Sequence, residues 1–356
     1  MKVAIPLKGT TFLRAAAPLI ATSLNSGIEL YVYILAERSG KEYDTIDKTA
    51  LAKVLPEANL RSYADEADLL GQLKKEGIGH VVAADVPHHW QELCDAPDLT
   101  TYSISIFIDS LHYAGRVAQG EEQKRIPGLT FFPNDYLADR FFAVGSFSRE
   151  EMPYRIVGSP IFDHAAFLPT SEDQQPTLLL IAPPPTLLTW SWRRQLRALF
   201  IHAHNQGMRV VVKDRVKTPL PKSLHPVVDE LHTKEAIRPY ASLALIANCS
   251  IHVCGYSTSV LEARYLKKPT LNLDLNIKRV AAGDLVHRFG LEDLYNSRTC
   301  ITARKHLPAV FDKLMAIDSA DYAENDRFLS PQVEVSDRPV ASIAIWREVL
   351  SHASSQ

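Results

Sequence analysis

Short β-rich runs alternate with longer helical stretches along this chain, and this alternation constrains the fold more than any other feature of the sequence. In the first half, the β-rich runs occupy 3–7, 29–35, 80–84, 101–108 and 141–145. Strands separated by helices predict a parallel sheet with right-handed crossover connections.

A polar segment, FLPTSEDQQP at 167–176, interrupts the alternation, which then begins again. In the second half, the runs at 177–183, 208–214, 250–254 and 269–274 are typical of strands or strand ends. We therefore expect an α/β protein with two Rossmann-like domains that face a cleft. In such sheets, ligands bind beyond the carboxyl ends of the strands, near the point where the strand order reverses.

The interruption also gives the predicted domain boundaries. We place an N-terminal domain at 1–166, a linker at 167–176, a C-terminal domain at 177–335 and a terminal helix at 336–356. The length of 356 residues fits two domains of roughly 150 residues each. The terminal segment is amphipathic at helical spacing, so we expect it to pack one face against a domain.

The composition excludes several classes of protein. Lys and Arg number 39 and Asp and Glu 41, for a net charge of −2, which argues against a nucleic-acid partner. The four cysteines form no CxxC pair, so neither a disulfide framework nor a zinc site is expected, and a reducing cytoplasm is the simplest location. The apolar runs are shorter than the roughly 20 residues that span a bilayer, which leaves only a peripheral membrane association open.

The segment 253–274 carries the most specific chemical pattern. A strand ends here, a Gly-Tyr turn follows, and Ser257, Thr258 and Ser259 then open a helix. Hydroxyl groups at a helix start cap free N–H groups, and the positive end of the helix attracts phosphate. Glu262, on the first turns of that helix, is placed to accept hydrogen bonds from ribose hydroxyls. The alternative is an ordinary helix cap with an exposed Glu262.

This segment resembles the donor-binding segment of GT-B glycosyltransferases, in which a hydroxyl- or Gly-rich turn holds the diphosphate and a helix Glu holds the ribose. YRIVGSPIFD at 154–163, with TLLLIAPPPT at 177–186, resembles a domain junction. That junction occurs in the CDP-glycerol glycerophosphotransferase-like and UDP-N-acetylglucosamine 2-epimerase-like branches of the superfamily. The resemblance covers roughly 140–275, and it implies two Rossmann-like domains, with a terminal helix that can cross back to the N-terminal domain.

The resemblance also implies further residues of the donor site. Pro184 and Thr186 would lie in the loop that approaches the nucleotide phosphates, and Lys213 and Arg215 would direct positive charge at the diphosphate. Two cations at the end of a strand suit a dianionic ligand. Asp214 lies between them and is able to pair with either cation instead.

A loop that contacts the base in related proteins corresponds here to Arg238 and Tyr240. Tyr240 is able to stack on the nucleobase or, equally, to pack against the helix that follows. The Lys-x-His-Pro pattern of the glycerophosphotransferase branch is displaced, because His225-Pro226 comes too late in the chain.

The acceptor side is predicted from position alone. Asp109 and His112 follow the most β-rich run of the N-terminal half, where an open α/β sheet places reactive groups. A sugar transfer with inversion needs one base to deprotonate the acceptor hydroxyl, and either residue can serve. Alternatively, Asp109 caps a turn and His112 lies on the surface. Gly9, Thr10 and Thr11, in the loop after the first strand, are further acceptor-side candidates.

Missing motifs exclude other mechanisms. The chain has no GxGxxG after its first strand, no GxxxxGK[ST] and no DxD triplet, which argues against dehydrogenases, P-loop NTPases and metal-dependent GT-A enzymes. His88-His89 and the pair His202 and His204 are not expected to bind metal, since the latter two point to different faces of a helix. A helix start with basic side chains stabilises a leaving diphosphate without metal or cofactor.

The sequence therefore predicts a metal-independent, inverting glycosyltransferase that moves a sugar from a nucleotide-sugar to a hydroxyl of a glycan or glycolipid. The related branches imply a role in capsule or lipopolysaccharide synthesis, in the cytoplasm or peripherally at the inner membrane face. The alternatives are a nucleotide-sugar 2-epimerase, a CDP-polyol phosphotransferase and a non-catalytic nucleotide-sugar binding protein. The donor sugar, nucleobase, acceptor and oligomeric state stay open.

Overall fold

The computed structural model contains two parallel β-sheets with helices on their faces. The residues that it describes are 1–24, 26–36, 56, 59–168, 175–214, 219–232, 241–275, 290–318, 321–322, 326–331, 336 and 338–355. The central part of the expected linker, 169–174, lies outside this set.

The first sheet has seven strands in the order β3-β2-β1-β4-β5-β6-β7. Its strands are β1 Lys2–Leu7, β2 Glu29–Leu35, β3 Leu60–Tyr63, β4 His80–Ala84, β5 Thr100–Ile104, β6 Leu129–Phe132 and β7 Tyr154–Ile156. All neighbouring strands are parallel, and the order reverses between β1 and β4. The carboxyl ends of those two strands are therefore the expected ligand site of this sheet.

The second sheet has six strands in the order β10-β9-β8-β11-β12-β13, again all parallel. Its strands are β8 Thr177–Ile181, β9 Arg209–Lys213, β10 Glu230–His232, β11 Ile251–Cys254, β12 Thr270–Leu273 and β13 Cys300–Ala303. Here the order reverses between β8 and β11. Two sheets of this kind are the predicted pair of Rossmann-like domains.

Helices alternate with the strands along the chain. In the first half they are α1 Thr10–Ser23, α2 Glu66–Glu76, α3 Val86–His89, α4 Gln91–Asp95, α5 Phe107–Ala118, α6 Asp135–Ala143 and α7 Pro160–Asp163. In the second half they are α8 Trp190–Asn205, α9 Ala241–Ala247, α10 Ser259–Tyr265, α11 Glu292–Tyr295, α12 Leu307–Met315 and α13 Val340–Ser354.

Local sequence signals account for the boundaries of several helices. Asp65 precedes α2 and its side chain accepts a hydrogen bond from the backbone N–H of Asp68 at 2.9 Å, while Gly77 ends the helix in a left-handed conformation. Asn134 caps α6 in the same way. These caps satisfy backbone groups that the helix itself leaves free.

The terminal helix α13 crosses back to the N-terminal domain. Ile345, Trp346 and Val349 are buried in the core of the first sheet. The indole N–H of Trp346 donates to the carbonyl of Leu19 in α1 at 2.9 Å. The apolar stripe of the last helix therefore completes a core that is otherwise built from residues at the start of the chain.

Two sequence-based expectations for the N-terminal half are wrong in detail. The run FFAVG at 141–145 is not a strand, because its first residues form the last turn of α6. The strand that neighbours β5 is instead LTFF, β6, a buried run too short to stand out as periodic. The run at 101–108 is a strand only as far as Ile104, and α5 begins at Phe107.

Candidate functional site

The turn between β11 and α10 lies where the strand order of the second sheet reverses. Tyr256 adopts a positive φ of 48° in this turn, and its backbone N–H donates to Asn272 Oδ1 at 2.9 Å. Asn272 is fully buried on the neighbouring strand β12 and donates in turn to the Thr302 hydroxyl at 3.0 Å. The turn is therefore held from the sheet side by a buried amide.

Gly255 gives this turn its close packing. A Cβ at this position would lie 2.3 Å from Leu275 Cδ1 and 3.3 Å from Pro183 Cβ. The loop after β8 thus passes directly beside the loop after β11, which brings the two expected phosphate-binding segments together. Only glycine allows this approach without displacing a neighbour.

The three hydroxyl residues of the turn differ in their surroundings. Ser259 is buried, and its hydroxyl lies 3.1 Å from His252 Nε2 and 3.0 Å from Ser257 Oγ. Burial lowers the pKa of His252 to about 3, so this ring is neutral. Ser257 and Thr258 are half-buried. Ser259 therefore anchors the turn internally, while Ser257 and Thr258 lie nearer the surface.

Glu262 lies on α10 with 2% of its surface exposed, so the alternative of an exposed residue at this position is excluded. Its Oε1 contacts the guanidinium of Arg14, which comes from α1 of the other domain. Its Oε2 is buried and has no hydrogen-bond partner among the described residues. Burial lowers the pKa of Arg14 to about 10.

The remaining donor-side predictions lie on the loops around this turn. Pro184 is half-buried and precedes a short 3-10 helix that contains the exposed Thr186. Lys213 ends β9, and its ammonium donates to the Ser242 hydroxyl at 2.6 Å. Arg215, Arg238 and Tyr240 lie outside the described residues.

Asp214, which the sequence makes a possible partner of Lys213 or Arg215, is buried. Its Oδ2 accepts the backbone N–H of Leu220 at 2.7 Å. Its carboxylate therefore has a structural contact to the loop that follows.

On the first sheet, Gly9 connects β1 to α1, which begins at Thr10 and Thr11. The side chains of these two threonines are not among the described groups. Lys8 precedes them, with its ammonium 4.2 Å from the ring centroid of Trp90 and 3.8 Å from Glu66 Oε2. The loop after β1 therefore places a cation at the point where the strand order reverses.

Asp109 and His112 both lie on α5, one turn apart, at the carboxyl side of β5. Asp109 is exposed at the surface, while His112 is half-buried. The surrounding protein desolvates the Asp109 carboxyl and raises its pKa, and the nearby His88 and His112 act in the opposite direction. A carboxylate with a raised pKa is suited to accept a proton.

Sequence reasoning missed the role of His88 in this cluster. His88 Nδ1 lies 3.1 Å from Glu122 Oε2, and Glu122 Oε1 lies 2.9 Å from the Arg116 guanidinium. The rings of His88 and His112 are 6.5 Å apart, centroid to centroid. Asp109 was selected because reactive groups lie beyond the carboxyl ends of the strands in such a sheet. The same rule applies to VPHHW at 86–90, which comes after β4, and would have selected His88.

Asp85 is a second residue that the sequence analysis did not select. It follows the last residue of β4 with a positive φ of 43°, and burial raises the pKa of its carboxyl well above the usual value. Its Oδ1 accepts from the Ser110 hydroxyl and from the backbone N–H of Ile106, the latter at 3.1 Å. Asp85 thereby fixes the start of α5 and, with it, the position of Asp109.

Two negative findings apply to the part of the chain that the structure describes. It contains no group of three or more His, Cys, Asp or Glu residues arranged to hold a metal ion. His202 and His204 instead pair separately with Asp312 and Asp229. Among the same residues, no helix has the length and apolar character to cross a membrane.

No protein-family model matches the chain, and a search of curated proteins gives no significant match. Solved structures do match it over nearly all of this chain and most or all of their own length. The UDP-GlcNAc 2-epimerase from Methanocaldococcus jannaschii has a TM-score of 0.61 at 11% identity and covers 99% of this chain and 100% of that one. The wall teichoic acid polymerase TagF has a TM-score of 0.61 at 12% identity, with 100% and 89% covered.

A third similar structure is the calicheamicin glycosyltransferase CalG4, with a TM-score of 0.55 at 12% identity and coverage of 99% and 98%. At identities this low, the likeness establishes the fold alone. The chain has the GT-B fold, as the resemblance of its donor-binding segment implied.

Proposed function

We propose that this GT-B chain is a nucleotide-sugar-dependent enzyme, and specifically a metal-independent glycosyltransferase. The observation that carries the proposal is the turn after β11. A Gly-containing, hydroxyl-rich turn and the acidic residue Glu262 lie together where the strand order of the second sheet reverses. Diphosphate and ribose are the chemical groups that such a turn and such a carboxylate recognise.

In this proposal the second domain binds the donor. Ser257, Thr258 and the start of α10 face the diphosphate, with Lys213 contributing positive charge and Ser259 anchoring the turn. The loop with Pro184 and Thr186 approaches the phosphates. Arg215, Arg238 and Tyr240 complete the site as sequence-based proposals. A leaving nucleoside diphosphate is then stabilised by protein groups aimed at its developing charge.

The first domain supplies the acceptor site and the base. Asp109, assisted by His112, removes the proton of the acceptor hydroxyl as its oxygen attacks the anomeric carbon. The bond from that carbon to the diphosphate oxygen breaks in the same step, and the configuration is inverted. The raised pKa of Asp109 supports its choice as base. The loop of Gly9, Thr10 and Thr11 lines the acceptor side.

A nucleotide-sugar 2-epimerase is the second candidate, and one observation favours it. Epimerisation needs several acid–base groups around one sugar, and the cluster of His88, Asp109, His112 and Glu122 offers more of them than the sequence indicated. The TM-score is 0.61 both for the 2-epimerase and for the teichoic acid polymerase, so the structural comparison does not favour one over the other. A CDP-polyol phosphotransferase and a non-catalytic nucleotide-sugar binding protein complete the alternatives.

The setting is proposed from the resemblance alone. We place the enzyme in capsule or lipopolysaccharide synthesis, with a glycan or glycolipid acceptor, in the cytoplasm or peripherally at the inner membrane face. The net charge of −2 supports the absence of a nucleic-acid partner.

A thermal-shift panel of CMP, CDP, UDP, GDP and their sugars tests the proposal. A ligand at 100 times its Kd stabilises the folded state by about 2.7 kcal/mol, which is a shift of several degrees. The responding nucleotide is then incubated as its sugar without any acceptor. Release of an epimer establishes the epimerase, whereas transfer only after a glycan is added supports the glycosyltransferase. A panel without any response refutes nucleotide-sugar binding.

A further inference from the structure

The outer face of helix α8 carries three arginines and no acidic residue. Arg193, Arg194 and Arg197 are all exposed, and the helix contains no Asp or Glu over 190–205. In the part of the chain that the structure describes, none of the three guanidinium groups forms an ion pair with a carboxylate. Cations without a counter-charge in the protein give this surface a positive potential, which attracts an anionic partner.

Trp190, the first residue of α8, adds an aromatic ring to this face. It is 73% exposed, and the Arg194 guanidinium lies 5.6 Å from the centroid of its ring, so most of the indole stays open to solvent. An exposed indole offers a flat apolar face and an N–H donor, on which the C–H groups of a sugar ring can pack. An arginine beside it can donate two parallel hydrogen bonds to a carboxylate or a phosphate. The pair therefore suits a partner that has both sugar rings and anionic groups.

A second segment supplies positive charge on the same side of the second domain. Arg304 and Lys305 are exposed in the loop between β13 and α12, and neither pairs with a carboxylate of the described residues. α12 packs beside α8, since the two helices share one buried core and the ring of His202 meets that of Phe311 edge-on, with centroids 5.4 Å apart. Both helices begin at the carboxyl edge of the second sheet. We call this surface the basic edge; it consists of Trp190, Arg193, Arg194, Arg197, Arg304 and Lys305.

The apolar face of α8 is already buried, which limits what the partner can be. Trp192, Leu196 and Phe200 pack into the core of the second domain. On the outer face the large apolar side chains are Trp190 and Ile201, which lie about 16 Å apart along the helix axis. The outer face therefore lacks the continuous apolar strip that an interfacial helix inserts into a bilayer. The net charge of −2 disfavours a nucleic acid as the partner.

We propose that the basic edge binds an anionic glycan chain, whose carboxylate or phosphate groups pair with the arginines while one sugar ring packs on Trp190. This inference rests on the proposed function only for the role of that chain as the acceptor. The reacting end of the chain lies at the first domain, and the basic edge holds sugars farther from that end. The acceptor class is then an acidic polysaccharide, as opposed to a neutral glycan.

The test titrates the full chain with polygalacturonate, which carries carboxylates, and with phosphomannan, which carries phosphates. The double variant Arg194→Gln with Arg197→Gln removes charge, and Trp190→Ala removes the ring. Two variants are matched controls: Trp190→Phe keeps an aromatic ring, and Arg347→Gln removes an exposed arginine from α13, which packs on the first domain. Dextran, anionic phospholipid vesicles and a single-stranded oligonucleotide are titrated as competing partners. Circular dichroism confirms the fold of each variant.

We expect an acidic glycan to bind and dextran not to bind, with an affinity that high salt lowers. The double arginine variant should weaken binding about tenfold and Trp190→Ala about threefold or more, whereas both controls should bind like the wild type. Three results overturn the proposal: no binding of either acidic glycan, undiminished binding by the double arginine variant, or tighter binding of vesicles or of the oligonucleotide than of both glycans.

The nucleotide thermal-shift panel separates this inference from the proposed function, and its response should be the same in all variants. A protein that responds to a nucleotide but binds neither acidic glycan keeps the proposed function and loses the basic edge as a binding surface. A protein that binds an acidic glycan through the basic edge but responds to no nucleotide keeps the surface, and the proposed function fails.

Discussion

The carboxylate of Asp163 holds the first turn of the last helix, with its Oδ2 accepting the backbone N–H of Ser342 at 2.6 Å. Its Oδ1 accepts the neighbouring N–H of Ala341 at 3.2 Å. Asp163 is 1% exposed, and it belongs to the short helix α7 that follows the last strand of the first sheet. A single buried carboxylate thus ties the end of the chain to the domain junction.

Replacing Asp163 with Ala is expected to lower the free energy of unfolding by about 3 kcal/mol, because two charge-assisted hydrogen bonds are lost in a buried place. The matched control is Asp65→Ala, which removes the exposed cap of α2 and is expected to lower it by about 1 kcal/mol. Urea unfolding of both variants measures the difference. Equal losses would show that Asp163 acts only as an ordinary cap.

Gly255→Ala is expected to destabilise the turn after β11 by about 1–3 kcal/mol, since the new methyl group collides with Leu275 and presses on Pro183. The double variant Gly255→Ala with Leu275→Ala should weaken nucleotide binding less than Gly255→Ala alone. Gly71→Ala is the control: nothing lies within 4 Å of its Cβ position on α2, so it should stabilise by about 0.5–1 kcal/mol. Thermal unfolding measures the change in stability, and nucleotide titration measures the change in binding. A Gly255→Ala protein that binds nucleotide normally would contradict the close packing of this turn against Leu275 and Pro183.

The rate of transfer is expected to fall at low pH as Asp109 becomes protonated, because the base acts only as a carboxylate. The neighbouring His88, when charged, lowers the pKa of Asp109. His88→Gln should therefore raise this pKa and move the acidic limb of kcat/KM to higher pH. Asp109→Asn should lower kcat by about 10²–10⁴-fold.

His202→Gln controls for the loss of a histidine, since His202 pairs with Asp312 on the second domain. Its acidic limb should coincide with that of the wild type. If the acidic limb of kcat/KM stays in place in His88→Gln, or moves to lower pH, then Asp109 is not the base.

Stability is expected to fall as the pH drops below about 6.5, the usual pKa of histidine in an unfolded chain. Burial lowers the pKa of His252 to about 3 and of His164 to about 4, so both stay neutral in the folded protein while the unfolded chain binds protons. Each contributes a loss of about 2 kcal/mol between pH 7.5 and pH 5. His252→Asn should reduce this loss by about 2 kcal/mol in urea titrations at the two pH values; an unchanged loss would contradict a neutral buried ring.

The sequence predicted the architecture because the alternation of strands and helices is a local property with a regular period. It failed at 141–145, where an apolar run followed by Gly is equally typical of a strand and of a helix end. Asn134 caps the helix that contains FFA, and the neighbouring buried strand LTFF carries no alternation to mark it. Short apolar runs do not distinguish these two structures.

The candidate site could be predicted only where its residues follow one strand. Asp109 and Glu262 were selected because each lies on the helix that follows a strand, which is a local signal, and their roles stay predictions. The contact between Arg14 and Glu262 has no such signal, since it depends on how two domains meet. Likewise, the contact between Glu122 and His88 joins residues 34 positions apart, and no local pattern in the sequence indicates it.

The last helix also determines when the first domain can finish folding. Trp346 and its neighbours fill the core beneath α1, so the first sheet lacks part of its interior until the ribosome has released residues beyond 340. Most domains complete themselves in order as they are synthesised. Here the core beside β1 and β2 is incomplete until residues beyond 340 are present, and a fragment that ends at 166 would expose an apolar surface rather than a finished domain.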